Sequence, residues 1–192
     1  MNKLKLLSIL FLTTAVLGCS SSGVIYTVDP MQKLVNGYDL MNQGRAIPAE
    51  RLGKEALASF TGSSDQNGIA ESHIFLGQLY KHKAYRDAAD FYKKNNEYDP
   101  TNRKSISHTQ QAIDIYEAMG NYVQMAKGQF ALANAYLSSD NSKSCSLYEE
   151  SITSIAKGKI ENPGESFQFN PSYGSAEEMI NSFKAKYCGT GS

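Results

Sequence analysis

Apolar positions in this chain follow two regimes. Leu6–Leu17 form a nearly continuous apolar run, interrupted by Ser8, Thr13 and Thr14, whereas from residue 30 onward apolar residues recur at helical spacing. Alternating patterns of the strand type are scarce. Short breaks at Gly44, Asp99-Pro100 and Gly120-Asn121 divide the periodic region into helices. The spacing predicts helices over about 105–118, 121–138 and 142–157. After Asn162-Pro163-Gly164 comes a loop, ESFQFNPSYGS, and then a final helix at about 175–187. Ser175 is the expected N-cap of that helix, with Glu178 three residues on in a capping-box spacing. The expected class is all-α.

The small and large residues of these helices repeat. FLGQLYKHKAYRDAADFYKKNNEYDP (75–100) carries Leu76-Gly77 and Tyr80 in a first helix, Ala88 and Tyr92 in a second, and Asp99-Pro100 at the closing turn. Small residues let two antiparallel helices approach, and the large ones fill the space beside them. Gly37, Leu40, Ala49, Gly53 and Ala56 occupy equivalent places in 30–63. Leu132-Ala133, Tyr136, Cys145 and Ile152 do so in 126–159. This pattern resembles the tetratricopeptide repeat. The resemblance implies a solenoid of antiparallel helix pairs over 30–160, followed by a loop and a C-terminal capping helix in 161–192, since an open repeat stack needs a closed end. The alternative is a generic helical bundle with fortuitous Gly and Ala spacing. Helix 105–118 pairs either with 121–138, or is left over when 121–138 pairs with 142–157.

The apolar start has a separate meaning. Lys3 and Lys5 precede a segment too short to span a bilayer, and Gly18 stands directly before Cys19. Val16-Leu17-Gly18-Cys19 resembles the lipobox of bacterial lipoproteins. The resemblance implies a signal peptide of residues 1–18, cleavage before Cys19, acylation of Cys19, and a tether over 19–29. Ser20, in place of Asp, implies outer-membrane anchoring with the chain facing the periplasm. Acyl chains contribute roughly 0.8 kcal/mol per buried methylene, enough for stable attachment when several are present. A cleaved secretory signal with an incidental cysteine, or a cytosolic protein with an apolar start, are the blander alternatives.

Composition narrows the function classes. The chain has 19 basic and 19 acidic residues, and a near-neutral balance argues against nucleic acid as partner. With Cys19 used for lipid, Cys145 and Cys188 remain. In an oxidising compartment an even pair favours a disulfide over two separate buried thiols, and it would pin the capping helix to the last motif helix. His73, His82 and His108 show no metal or nucleophile spacing, and no catalytic or phosphate-binding motif occurs. The expectation is therefore a protein without metal or cofactor that is not an enzyme. A peptidoglycan-directed enzyme is a weaker alternative, with Glu71 as its one groove acid.

Binding is the preferred reading. In the repeat family the first helix of each pair lines a concave surface, which by position implies Tyr38, Gln78, His82, Lys127 and Asn134 as partner-contacting residues. Phe130 and Ala131 stand where a carboxylate clamp would need basic residues, so capture of an acidic C-terminus is not implied. Phe167, Phe169 and Tyr173 either fold over one end of the groove or pack beneath the last helix. Two functions fit. One is an outer-membrane lipoprotein scaffold that holds an envelope or periplasmic protein during envelope, pilus or secretion-machinery assembly. The other is an immunity lipoprotein that neutralises a secreted periplasmic toxin, such as a lipase or cell-wall hydrolase.

Overall fold

The computed structural model describes residues 26–189. Residues 1–25, with Cys19 and most of the expected tether, lie outside the described residues. Among the described residues there is no strand, and the helices are α1 (Pro30–Asn42), α2 (Ala46–Ser63), α3 (Gln66–Lys81), α4 (Lys83–Asp87), α5 (Ala89–Lys94), α6 (Arg103–Ala118), α7 (Tyr122–Tyr136), α8 (Asn141–Glu161) and α9 (Ala176–Cys188). None is long and apolar enough to cross a membrane.

Local chemistry marks most of the helix starts. Asp29, Asp65, Asn121, Asp140 and Ser175 each accept a backbone N–H of the first turn that has no partner within the helix. Glu178 completes the capping of α9 by accepting from the Gly174 N–H at 2.8 Å. α6 is started from outside. Asp99 accepts the Thr101 and Lys104 N–H groups through its two carboxylate oxygens, at 2.9 and 2.6 Å. The connections α1–α2, α2–α3, α6–α7 and α7–α8 are short, so these helices return antiparallel along one another.

The order of packing is α1 on α2, α2 on α3, α3 on α6, α6 on α7, α7 on α8 and α8 on α9. One expectation needs correction here. The second helix of the 75–100 unit is not continuous: the chain breaks at Ala88 into the short α4 and α5, and the long α6 takes the main place against α3. The reason lies in side-chain packing. Tyr85 and Tyr92 are both fully buried with ring centroids 4.5 Å apart, and Tyr98 stacks on Tyr85. Tyr85 also ties down the linker, donating to the Glu97 carbonyl and accepting from the Asp99 N–H. Helix α6 thus neighbours both α3 and α7, and α7 packs most extensively on α8.

Two apolar cores result, one beneath α1–α5 and one among α6–α9, joined by a small cluster at Ala70, Ala112 and Tyr116. Close helix approach depends on small residues. The Phe75 ring lies across Gly37 and Gly53, where a Cβ would stand 2.7 and 2.5 Å from ring carbons. At the α3–α6 crossing a Cβ on Gly77 would meet Thr109 Oγ1 at 2.4 Å. Buried serines use the same proximity. Ser105 Oγ donates to the Gly77 carbonyl, and Ser144 and Ser151 of α8 donate to carbonyls of Ala133 and Ala126 in α7. Each of these hydroxyls is satisfied by the neighbouring helix's backbone, which removes the penalty of burying it.

α9 lies antiparallel along α8. Cys188 and Cys145 form a disulfide at one end, with Cα atoms 5.7 Å apart. Lys184 pairs with Glu149 at 2.8 Å further along, and Lys159 pairs with Glu177 at the other end.

Candidate functional site

A cleft of about 870 Å³ opens where α3, the start of α4, α7 and the loop before α9 meet. Its apolar side is formed by Phe130, Phe167, Phe169 and Met179, and its amides come from Gln78, Asn134, Gln168 and Asn170. Lys81, Lys83, Arg86 and Lys127 supply the charge, and no Asp or Glu lines it.

The local backbone explains these positions. Gln78 is exposed on α3, one residue after the Gly77 contact that brings α6 close. His82 separates α3 from α4 and caps α4 by accepting the Ala84 N–H at 3.2 Å. This tight junction turns Lys81, Lys83 and Arg86 toward one rim. Lys81 Nζ donates to the Asn134 carbonyl and so bridges α3 to α7, while Arg86 Nη1 donates to the Lys81 carbonyl. Asn134 is held by its side chain, which accepts from Tyr148 Oη at 2.9 Å and donates to the Phe130 carbonyl.

The electrostatics follow from this crowding. Lys83 pairs with Asp87. Lys81, Arg86 and Lys127 form no ion pair among the described residues. Burial, with the Arg86 charge nearby, holds the Lys81 ammonium down to about 8. Burial also lowers Lys127, against the opposing pull of Glu71 and Glu165. Three of the cleft's four cations are thus without an ion-pair partner among the described residues.

Of the five residues expected to contact a partner, Gln78, His82, Lys127 and Asn134 line this one cleft. Tyr38 does not. It is half-buried at the other end, edge-on to Phe75 with ring centroids 4.8 Å apart, because it lies next to the buried face of α1. The loop aromatics divide. Phe167 and Phe169 line the cleft, and Tyr173 packs against the α6–α9 core. Lys127 apart, the basic rim (Lys81, Lys83 and Arg86) escaped the repeat-based reading, which sought cations at Phe130 and Ala131. Its signal was the basic run Lys81–Arg86, at a helix junction. Glu71 accepts from Tyr116 Oη at 2.7 Å and does not line the cleft.

Two of the histidines have a different role. His73 and His108 meet Nδ1 to Nδ1 at 2.8 Å, so one ring donates to the other, and Tyr80 stacks on His108. Lys54 from α2 and Lys104 from α6 add positive charge, and Glu50 of α2, hydrogen-bonded to Tyr80 Oη, opposes it. Burial, then His73 and the lysines, push His108 down to about 4. The unfolded chain therefore takes up this proton near pH 6.5 and the folded chain only near 4. The stabilisation is complete above pH 6.5 and is lost as pH falls toward 4. Allowing for partial exposure, the expected loss is about 1–2 kcal/mol. Thermal melts at pH 7 and 4.5 check this: His108→Gln should flatten the decline, and an unchanged slope would sink the assignment.

No group of three or more His, Cys, Asp or Glu side chains that could hold a metal ion occurs among the described residues. No protein-family model matches the chain, and no curated protein or solved structure is significantly similar to it.

Proposed function

We propose that this chain is a non-enzymatic binding protein, tethered to the outer membrane through acylated Cys19, that holds a partner protein in the α3–α7 cleft. The helix pairs α1–α2, α3–α6 and α7–α8 read as a tetratricopeptide-like stack, with α9 as its cap. The carrying observation is the cleft itself: amides, aromatic rings and unpaired cations from separate helices face one open volume. Such a mixture suits a polypeptide, whose backbone takes amide hydrogen bonds and whose side chains take apolar and charged contacts. The arrangement has no paired acid and base facing a common point, which is why binding is preferred over hydrolysis.

A photo-crosslinking amino acid at Gln78 tests the reading in intact cells. Full-length protein should give a discrete protein adduct from Gln78 and none from Arg51, which is exposed on α2 outside the cleft. The Cys19→Ser variant should move from the membrane to the soluble fraction. Equal adducts from both positions, or none from Gln78, would overturn the cleft assignment. An envelope-assembly component as the adduct supports a scaffold. The concentrated basic rim on a near-neutral chain also favours a second reading, a neutraliser of an acidic secreted toxin, and a toxin adduct would select it.

A further inference from the structure

We propose that the cleft accepts an extended acidic peptide segment, which adds as a strand along Ser166–Asn170 while its carboxylates meet Lys81, Arg86 and Lys127. The proposal rests on the cleft being the binding surface and goes further by naming the occupant and its mode of attachment.

Three observations converge. First, residues 165–170 run without helix, turn or bend, and Phe167, Gln168, Phe169 and Asn170 line the cleft one after another, so this stretch of backbone runs along the groove. Second, the backbone N–H and C=O groups of Ser166–Phe169 make no hydrogen bond to any described group. Buried backbone would have to be paired internally, whereas this segment is largely exposed and leaves an open edge beside a groove. An extended peptide pairs with such an edge through main-chain hydrogen bonds and places alternate side chains into the groove. Third, no Asp or Glu lines the cleft beside these cations, and all but Lys83, which pairs with Asp87, have no ionic partner among the described residues. A basic or neutral peptide would leave those charges unpaired, and an acidic one neutralises them. The amides of Gln78, Gln168 and Asn170 add side-chain donors and acceptors for the peptide backbone. An anionic lipid would match the cations and aromatic rings and would have no use for the open backbone edge, so the peptide is favoured.

The test uses full-length protein in neutral detergent and a fluorescein-labelled ten-residue peptide alternating aspartate and leucine. Fluorescence anisotropy should show saturable binding that weakens at least tenfold between low and moderate salt. The same peptide N-methylated at alternate residues should bind at least tenfold more weakly, and a lysine–leucine peptide should not bind. Lys81 and Arg86 hold backbone carbonyls, so the diagnostic variants are placed at exposed Gln78. Gln78→Glu should weaken the acidic peptide and Gln78→Lys should tighten it, with melting temperatures unchanged. Equal binding of the N-methylated peptide overturns strand addition, and equal binding of the lysine peptide overturns the acidic preference. Absence of acidic-peptide binding, or competition by phosphatidylglycerol micelles but not by excess unlabelled peptide, overturns the occupant. If Gln78 crosslinks a partner in cells while the acidic peptide neither binds nor competes, this inference fails and the binding function stands. If both experiments are negative, both fall.

Discussion

Phe75→Ala is expected to cost about 3–5 kcal/mol of folding stability, the range for removing a fully buried aromatic side chain. For a chain of this size that corresponds to a fall of about 6–20 °C in melting temperature. The ring does more than fill space. It is the spacer over which α1, α2 and α3 meet, lying against Gly37 and Gly53 with Tyr38 edge-on. Gly53→Ala would put a methyl group 2.5 and 2.6 Å from ring carbons and 3.0 Å from Leu76 Cδ2, and both rings and helices here are packed on other sides. Overpacking of that kind costs about 1–3 kcal/mol, partly offset by the helix propensity of Ala over Gly, about 1 kcal/mol. Without the ring the two closest contacts disappear, leaving the tip of Leu76, a flexible side chain, at 3.0 Å. Gly53→Ala should therefore be neutral or stabilising in the Phe75→Ala background, giving a coupling of about 1–3 kcal/mol in a double-mutant cycle measured by urea unfolding. Strict additivity would mean that the glycine is not there to admit the ring.

The same contact shows why much of the helical framework was legible in the sequence. Gly37, Gly53 and Gly77 stand out as small residues in otherwise apolar helical stripes, and each is a point where another element's side chain presses on the helix. Ser175 with Glu178 marked the start of α9 for an equally local reason, because a capping side chain must lie within a turn of the N–H it accepts. The pairing of Cys145 with Cys188 was expected from setting Cys19 aside for lipid, which leaves two cysteines to join.

Features that depend on distant partners were not legible. Nothing between Lys83 and Lys94 is a helix breaker, and the interruption at Ala88 comes from seating Tyr85 and Tyr92 together in the first core. With that second helix cut short, α3 is left for α6 to cover, a choice made by residues some thirty positions apart. Ser105 bonds to Gly77, and Thr109 fits over it. The cleft was half legible. Gln78, Lys127 and Asn134 project from α3 and α7 at positions that the repeat pattern marks. Its cationic rim needed the α3–α4 junction, where His82 ends one helix and caps the next. Its far wall is an irregular loop whose course no periodicity describes.

That wall ties the cleft to the disulfide, and removing the bond should show it. Cys145 and Cys188 close a loop with a sequence separation of 43, for which the chain-entropy estimate is about 4 kcal/mol. Reduction, or the Cys145→Ala/Cys188→Ala double variant, is expected to lower stability by an amount of that order, with reductant having no further effect on the variant. The damage should not be uniform. Away from the bond α9 is held by two ion pairs with exposed partners and by a modest apolar face, so hydrogen exchange should rise first in Ala176–Cys188. The cleft should weaken next. Phe183 of α9 stacks edge-on against Phe130 at 5.2 Å, Phe130 in turn meets Phe167, and Met179 lines the cleft directly. Loosening α9 removes the support behind the aromatic wall while leaving the basic rim, which belongs to α3, α4 and α7, in place. Partner crosslinking from Gln78 should therefore fall on reduction even at temperatures where α1–α6 remain folded by hydrogen exchange. Retained crosslinking with an exchanging α9 would show that the wall stands without its cap, and would place the binding determinants on the rim alone.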